Sequence, residues 1–270
     1  MPPFGVPVIR NVNWGGLRTL YIKEVRRFFK VQLQTVWAPA VTTLLFLVIF
    51  TVALGGGGRM VHVQGQDIHF PHFIAPGLIV MGMLQNSFAN ASFSLLVGKI
   101  QGTIVDYLMP PLSTAELLTA LCGGAVTRAF CVGGAVWLAM LLWLGGDIIP
   151  VHFWAVLWFG FLGALFLAFM GVLTSIWASK FDHAAAVTNF VVAPLSLLSG
   201  TFYSVEKLAP AFRTVSHFNP FFYIISGFRY GFIGVADSPV LLGSLVVLGL
   251  DIVLGLLCFT LLKRGWKLKS

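Results

Sequence analysis

The chain has 270 residues, of which 58% are hydrophobic and only 10% are charged, and its mean hydropathy is +0.91. A soluble domain carries about 25% charged residues, so this chain lacks the polar side chains needed to cover a surface exposed to water. Its net charge of +8 therefore does not indicate a nucleic-acid-binding protein, and three cysteines within apolar stretches do not form a disulfide scaffold. We expect an all-α polytopic membrane protein.

The N-terminal region predicts an amphipathic helix over residues 15–30. Leu17, Leu20 and Phe28 fall on one side of this helix, and most of the basic residues fall on the other. Such a pattern is typical of a helix that lies in the membrane interface. Glu24 interrupts the apolar side. Either this carboxylate snorkels or pairs locally, for instance with Arg27, or the apolar side faces protein and Glu24 meets a basic partner there.

Six apolar stretches follow, and each is long enough to cross the roughly 30 Å hydrocarbon core as a helix of about 20 residues. They are predicted as single membrane spans that leave no segment for a soluble catalytic domain. The predicted spans cover residues 36–54, 73–97, 117–144, 153–178, 184–203 and 240–262.

The distribution of basic residues predicts the orientation of these spans. Six spans place both termini on the same side of the membrane, and thirteen of the 17 basic residues then fall on that side. Because basic residues accumulate in cytoplasmic loops, we expect both termini in the cytoplasm. The basic residues assigned to the outer side are Arg59, Lys207, Arg213 and Arg229.

The inner loop at 98–116 is too long for a simple turn. Gly102–Met109 is predicted to form a short helix that ends before Pro110, and Ser113 or Thr114 can then cap the third span. The loop is either a docking element for a partner or a structural elbow. The residues that a docking helix exposes are Asp106, Tyr107 and Leu108.

The outer segment at 204–239 is too long for a hairpin and too rich in aromatic residues for an ordinary loop. Two short helices that dip back into the outer leaflet are predicted, since such pieces are tolerated where protein or water satisfies their backbone. Arg229 is costly at membrane depth if unpaired. It either pairs with an acid, Glu206 or Asp237, or anchors to lipid phosphates.

Several polar residues lie within the spans themselves. Gln85 and Ser92 share one face of the second span, and Thr188 and Asn189 lie in the fifth span. These side chains either hold helices together or line a polar path, and we favour the path. Asp251 lies in the sixth span, where a buried structural hydrogen bond and a functional role are equally good interpretations.

No metal site is predicted in the outer loop at 55–72. His62, His69 and His72 lie near Asp67, and imidazole is a common metal ligand. Their spacing, however, matches no zinc pattern.

The C-terminal third resembles the signature of ABC-2 type permeases, the membrane subunits of a large group of ATP-driven exporters. The N-terminal helix with its central Glu24, the six spans and the proline-containing inner loop extend this resemblance over essentially the whole chain. The ordered residues that carry it are Ser199-Gly200, Pro210, Asn219-Pro220, Tyr223 and Arg229.

The resemblance implies a type V exporter-like fold in the bacterial inner membrane and a homodimer, with two copies of a separate ABC ATPase beneath it. ATP and Mg²⁺ are expected on that ATPase, because this sequence has no Gly-rich phosphate-binding motif. The chain itself is therefore not expected to be an enzyme, and it is expected to hold no cofactor. Its expected partners are the ATPase, a second copy of the chain and membrane lipid, without nucleic acid.

The resemblance also implies roles for individual residues. The helix of Glu24 and the inner loop would receive the motion of the ATPase, and the second and fifth spans would line a cavity between the protomers. The expected coupling residues are Glu24, Gly102, Asp106, Tyr107, Leu108 and Met109; the expected path residues are Gln85, Ser92, Thr188 and Asn189; the expected outer gate is Ser199, Gly200, Asn219, Pro220, Tyr223 and Arg229.

Export is expected rather than import, because the long inner loop of importer permeases is not evident. The few charges within the membrane favour an amphiphilic cargo, such as a lipid-linked glycan, a lipid or a drug-like molecule. Two rivals remain. A stand-alone ion-coupled transporter would use Asp251, and a lipid-modifying enzyme would need clustered polar residues at one membrane face, which the sequence does not show.

Overall fold

A computed structural model describes residues 12–53, 58–63, 65–203, 205 and 210–268. This part of the chain is almost entirely helical, apart from one short hairpin. The elements are α1 (Trp14–Phe29), α2 (Ala38–Val48), β1 (Met60–Val63), β2 (Gln66–His69), α3 (Phe70–Ile100), α4 (Val105–Leu108), α5 (Thr114–Leu144), α6 (Phe153–Trp177), α7 (Phe181–Val187), α8 (Ala193–Leu197), α9 (Pro210–Phe218), α10 (Pro220–Ile233) and α11 (Val240–Arg264). The expectation of an all-α membrane protein is confirmed at this level.

Helix α1 covers the segment that the sequence predicts to be amphipathic. Asn13 caps it by accepting a hydrogen bond from the Gly16 amide at 2.9 Å. Leu20, Glu24 and Phe28, spaced four residues apart, form its buried face, and this face packs along α5. The apolar side therefore faces protein, and Glu24 lies in the middle of it.

The centre of the molecule is α3, which packs along α6 on one side and α5 on the other. Helix α10 packs against α6, α11 and α3. The largest buried side chains of the core, among them Phe73, Phe88, Phe159 and Phe228, come from these central helices. By contrast, α2 and α11 expose much of their apolar surface, as helices at a boundary with lipid or with another chain do.

Within the described residues, four helical stretches are long and apolar enough to cross a membrane. They are Leu33–Val52, Thr114–Leu144, Phe153–Trp177 and Val240–Arg264. Helix α3 is 31 residues long, but Gln85, Asn86 and Asn90 lower its hydropathy. The fifth predicted span is short and interrupted, because a π-helical segment, Thr188–Val192, separates α7 from α8.

The first predicted span is also irregular. It begins with a π-helical segment, Leu33–Trp37, continues as α2 and ends with a second π-helical segment, Ile49–Ala53. Since π-helical turns are rare and are frequently found at functional sites, the two helices that carry them are candidates for movement or binding.

Two of the connections differ in detail from the sequence prediction. The outer loop contains an antiparallel hairpin, in which Met60 pairs with His69 and Val63 with Gln66. The inner helix is limited to the single turn of α4, within the predicted Gly102–Met109. Ser113 caps α5 in a full capping box with Glu116, which confirms one of the two predicted caps.

Candidate functional site

The first cluster of interest lies where α1 meets α3 and α4, and its centre is Glu24. This carboxylate has no exposed surface. It accepts a hydrogen bond from the Ser94 hydroxyl at 2.7 Å and one from the Tyr107 hydroxyl at 3.3 Å, and it forms an ion pair with Arg27 at 2.9 Å. Both sequence interpretations of Glu24 are therefore partly right: it pairs locally, and it does so against protein.

Arg27 extends this network into α3. Its Nη2 donates to the Asn90 carbonyl oxygen at 2.7 Å and to the Ser94 hydroxyl at 2.9 Å. Hydrogen bonds that involve a charged partner are about twice as strong as neutral ones. The inner end of α3 is therefore bound to α1 by polar contacts as well as by packing.

Tyr107 connects the inner loop to the same network. Its ring lies below the ammonium group of Lys23, 3.7 Å from the ring centroid. Burial raises the pKa of the Tyr107 hydroxyl to about 12, and the neighbouring Glu24 carboxylate adds to this rise. The phenol is therefore neutral at physiological pH and available as a hydrogen-bond donor to Glu24.

The remaining predicted coupling residues lie on the surface of the inner loop. Asp106, Leu108 and Met109 are exposed, and Gly102 turns the chain with a φ of +73°. The expectation that Tyr107 is exposed is wrong, because its side chain is buried against Glu24 and Lys23. Four of the predicted coupling residues thus form an exposed surface, while Tyr107 and Glu24 join that surface to α1.

Glu116 adds a connection that the sequence reading missed. Its Oε1 accepts from the Asn13 amide at 2.6 Å, and its Oε2 accepts from the Ser113 amide at 2.7 Å. Asn13 also donates to the Pro111 carbonyl oxygen at 3.0 Å. The start of α1, the end of the inner loop and the start of α5 therefore form one unit. The glutamate of the capping box was visible in the sequence, but its second partner is 103 residues away.

The second cluster lies at the outer end, where the signature residues converge. The Asn219 side-chain amide donates to the Leu195 carbonyl oxygen at 2.9 Å and to the Ser199 hydroxyl at 2.7 Å. Pro220 follows as the first residue of α10. Tyr223 is half-buried and lies against Gly243 of α11.

Arg229 is the charged centre of this outer cluster, with 1% of its surface exposed. Its guanidinium forms an ion pair with Asp237 and donates to the Gly200 carbonyl oxygen at 2.6 Å. It also lies 3.9 Å from the ring centroid of Phe73. The predicted pairing with Asp237 is confirmed. Glu206, the other predicted partner, lies outside the described residues.

Gly200 is required for this arrangement because of its backbone conformation. Its φ is +80°, a conformation that residues with a Cβ rarely adopt. The turn directs the Gly200 carbonyl oxygen to Arg229 and places Thr201 against Gly77 of α3. The signature residues therefore join the end of the fifth helix, α10 and α3.

A groove of about 590 Å³ lies between the first span, α3 and α8. Gln85, one of the predicted path residues, lines it. Ser92 does not, because it is buried where α3 meets Gly171 of α6. Thr188 is half-buried with its hydroxyl donating to the Ala184 carbonyl oxygen at 3.0 Å, and Asn189 is exposed. The structure therefore does not bring the four predicted path residues together.

Two further polar residues beside the groove were not singled out from the sequence. Asn86 lines it and accepts a hydrogen bond from Arg128 of α5 at 2.8 Å. Arg128 was counted among the inner basic residues, but it lies near the middle of α5. With it set aside, twelve basic residues against four still indicate the same orientation. An arginine inside a predicted span was the sequence signal for this site.

Asp251 lies in α11 with 3% of its surface exposed, and neither carboxylate oxygen has a hydrogen-bond partner among the described residues.

At the outer hairpin, His62 contacts Asp67 at 2.9 Å on the surface. The described residues hold no group of three or more potential metal ligands.

Comparison with known proteins gives a consistent result. The family model for the ABC-2 type transporter matches residues 16–233. The chain is similar to the inner membrane transport permease YadH of Escherichia coli K12, with 33% identity over 264 residues that cover 96% of this chain and 99% of the relative. It is also similar to nodulation protein J of Rhizobium leguminosarum bv. viciae, with 24% identity over 93% and 95% of the two chains. The polysialic acid transport protein KpsM of Escherichia coli is 22% identical over 77% and 78%.

Proposed function

Because the chain belongs to the ABC-2 type transporter family, we propose that it is the permease subunit of an exporter, that two copies form the translocation path at their interface, and that two ATPase subunits drive it. The observation that carries the proposal is the inner cluster. Glu24 and Tyr107 bind α1 to an exposed inner loop, which is the arrangement a membrane subunit needs to receive motion from a separate ATPase.

We propose six membrane spans. Helix α3 is long enough to cross the bilayer although it is polar in its middle, and α7, the π-helical segment and α8 cross as one interrupted helix. Polar residues and irregular helices are tolerated inside a membrane where they face protein or a water-filled cavity. In this topology both termini are cytoplasmic, and α9 and α10 enter the outer leaflet from outside.

The coupling step follows from the contacts of the inner cluster. Closure of the ATPases pushes on Asp106, Leu108 and Met109, and the push reaches α1 through the Tyr107–Glu24 contact. The Glu24–Arg27 pair transmits it to the inner end of α3. Since α3 also contacts the outer cluster through Phe73, a shift of this helix changes the outer gate.

The path in this proposal runs along the groove beside Gln85 and past Thr188 and Asn189 of the fifth helix. Its inner end is polar and its outer end is apolar, which suits an amphiphilic cargo. One relative, the polysialic acid transport protein, carries a name that fits a glycan as cargo. We therefore propose a lipid-linked glycan, a lipid or a drug-like amphiphile as cargo, moved outward.

The test is to isolate the chain from its native membrane with a mild detergent and to identify the proteins bound to it. We expect an ATPase with a Gly-rich phosphate-binding motif in equal amount. In reconstituted vesicles, Asp106→Ala and Glu24→Ala should leave basal ATP hydrolysis intact and abolish transport, whereas Asp182→Asn, at an exposed acid of α7, should change neither. Absence of an ATPase from the isolated complex contradicts the proposal.

One observation favours a second candidate. The buried Asp251 carboxylate, with no hydrogen-bond partner in the described part of the chain, is what a stand-alone ion-coupled transporter would use to bind a proton. In that case transport continues with an inactive ATPase and stops in Asp251→Asn. For an ATP-driven exporter, the same two experiments give the opposite results.

A further inference from the structure

Arg128 is a cation within α5 that has no acidic partner among the residues the structure describes. It lies about 21 Å from the start of a helix that rises 1.5 Å per residue, so it is near the middle of this 31-residue helix. Its Nη2 donates to Asn86, while its Nε is buried without an acceptor. An arginine at such a depth is costly unless an anion or several polar groups surround it.

The groups near Arg128 also leave this part of the protein with fewer negative than positive charges. Arg27 also reaches α3, where it donates to the Asn90 carbonyl oxygen, and its Nη1 is buried without an acceptor. Glu24 is already occupied by Arg27, Ser94 and Tyr107. In the described structure, the junction of α1, α3 and α5 therefore holds two guanidinium groups for one carboxylate.

The groove of about 590 Å³ reaches this junction at Asn86, the hydrogen-bond acceptor of Arg128, and it is amphipathic along its length. Gln34, Gln85 and Asn86 line its inner end, while Phe46, Phe50 and Phe202 line its outer end. Phe50 and Phe202 are in contact, with ring centroids 4.9 Å apart. Its volume lies within the range of about 300–1,000 Å³ that is usual for pockets of small molecules.

The geometry points to a binding site for an amphiphile whose anionic headgroup, a phosphate or a carboxylate, contacts Arg128 and whose apolar tail lies along the groove. Arginine presents a planar set of donors that suits both anions, and Asn86 holds the guanidinium at the polar end. This inference rests on the proposed function, because it assigns the headgroup chemistry of the proposed cargo.

The test measures binding to the purified full chain in a non-ionic maltoside detergent, without any ATPase. The probes are dodecyl phosphate, dodecanol and inorganic phosphate. We expect dodecyl phosphate to bind at least tenfold more tightly than dodecanol, since only it has the charge. It should bind at least 100-fold more tightly than inorganic phosphate, since only dodecyl phosphate buries an apolar tail.

Two variants test the role of Arg128. Arg128→Gln should weaken binding of dodecyl phosphate by about tenfold or more, as expected for loss of a hydrogen bond to a charged group, and leave dodecanol binding unchanged. Asn86→Asp supplies an internal anion to Arg128. It should abolish the preference for dodecyl phosphate while keeping the fold intact, which thermal unfolding checks. The matched control is Arg264→Gln, at an exposed arginine of α11, which should bind like the unchanged chain.

Unchanged affinity for dodecyl phosphate in both Arg128→Gln and Asn86→Asp overturns the inference, and so does equal binding of inorganic phosphate. Two sources of the amphiphile are distinguished by the lipids that copurify with the chain but not with Arg128→Gln. Ordinary phospholipids in bilayer proportions indicate a structural lipid, and an enriched scarce anionic amphiphile indicates cargo. If this binding test fails but the chain isolated from its native membrane still carries an ATPase, the exporter proposal stands and only the Arg128 site is rejected.

Discussion

At the scale of single residues, buried charges decide which parts of this chain lie together. Glu24 pairs with Arg27 at the inner end and Arg229 with Asp237 at the outer end. A buried ion pair adds little stability over a well-packed apolar alternative, but removal of one partner is costly because the other charge remains buried. These pairs therefore act mainly by allowing only the arrangement that satisfies them.

The outer pair is the more deeply buried, with 1% and 2% of the two side chains exposed. Asp237→Asn should lower the free energy of unfolding by about 3–5 kcal/mol, because the Arg229 charge loses its counterion in an apolar setting. Chemical unfolding of the purified chain in detergent measures this loss. The double variant Arg229→Gln, Asp237→Asn should lose less than the sum of the two single variants. Additive losses would show that the two side chains do not interact.

The inner pair is partly open to water, since 31% of the Arg27 side chain is exposed. Glu24→Gln should therefore cost less, about 1.5–3 kcal/mol for lost hydrogen bonds to a charged group, because Arg27 can turn to solvent. Asp106→Asn is the comparison, since Asp106 is exposed and its change should stay within about 0.5 kcal/mol. Equal stability of the two variants would remove Glu24 from the network that holds α1 in place.

At the scale of elements, α3 joins the two clusters. Its inner end carries Asn90 and Ser94, which bind Arg27, and its outer end carries Phe73 and Gly77, which contact the Arg229 cluster. Helix α3 packs along α5 and α6 between these ends. A helix held at both ends and packed along its length can only move as a whole, which is why we place it in the coupling route.

Replacement of two glycines of α3 by alanine tests this packing, because the two substitutions should change the stability of the chain in opposite directions. A Cβ on Gly77 would lie 2.9 Å from the Thr201 carbonyl oxygen, whereas a Cβ on Gly82 would lie 4.0 Å from its nearest neighbours, Val132 and Val136. Gly77→Ala should destabilise the chain by about 1–3 kcal/mol, the usual cost of overpacking. Gly82→Ala should stabilise it by up to about 1 kcal/mol through helix propensity. The midpoints of thermal unfolding of the two variants should move in opposite directions, and a stabilised Gly77→Ala would contradict the close approach to Thr201.

At the scale of the whole molecule, the distribution of basic residues predicts the orientation in the membrane. Thiol reagents that cannot cross the membrane can test this orientation. Cys122 and Cys258 are buried and Cys131 is half-buried, so the three native cysteines can be replaced and a single exposed cysteine introduced. In a chain without these cysteines, Met60→Cys at the hairpin should react with an impermeant maleimide added to spheroplasts. Lys263→Cys, at the end of α11, should react only after the membrane is opened. The reverse pattern of labelling would invert the proposed topology.

The sequence alone was sufficient for the membrane class, the family and the amphipathic N-terminal helix. It also identified the charges in need of partners, Arg229 among them. The membrane class follows from composition, the helix follows from periodicity along one segment, and the family follows from the resemblance carried by the ordered signature residues. Such signals do not depend on the rest of the fold.

Only the tertiary structure decided which partners those residues find. It selected Asp237 for Arg229, placed Tyr107 on Glu24 and separated Ser92 from Gln85, although these two share a helical face in the sequence pattern. It also showed that Arg128 has no counterion among the described residues. The physical reason is that a buried charge is satisfied by groups distant in sequence. Their approach depends on how whole helices pack, and no local pattern records that.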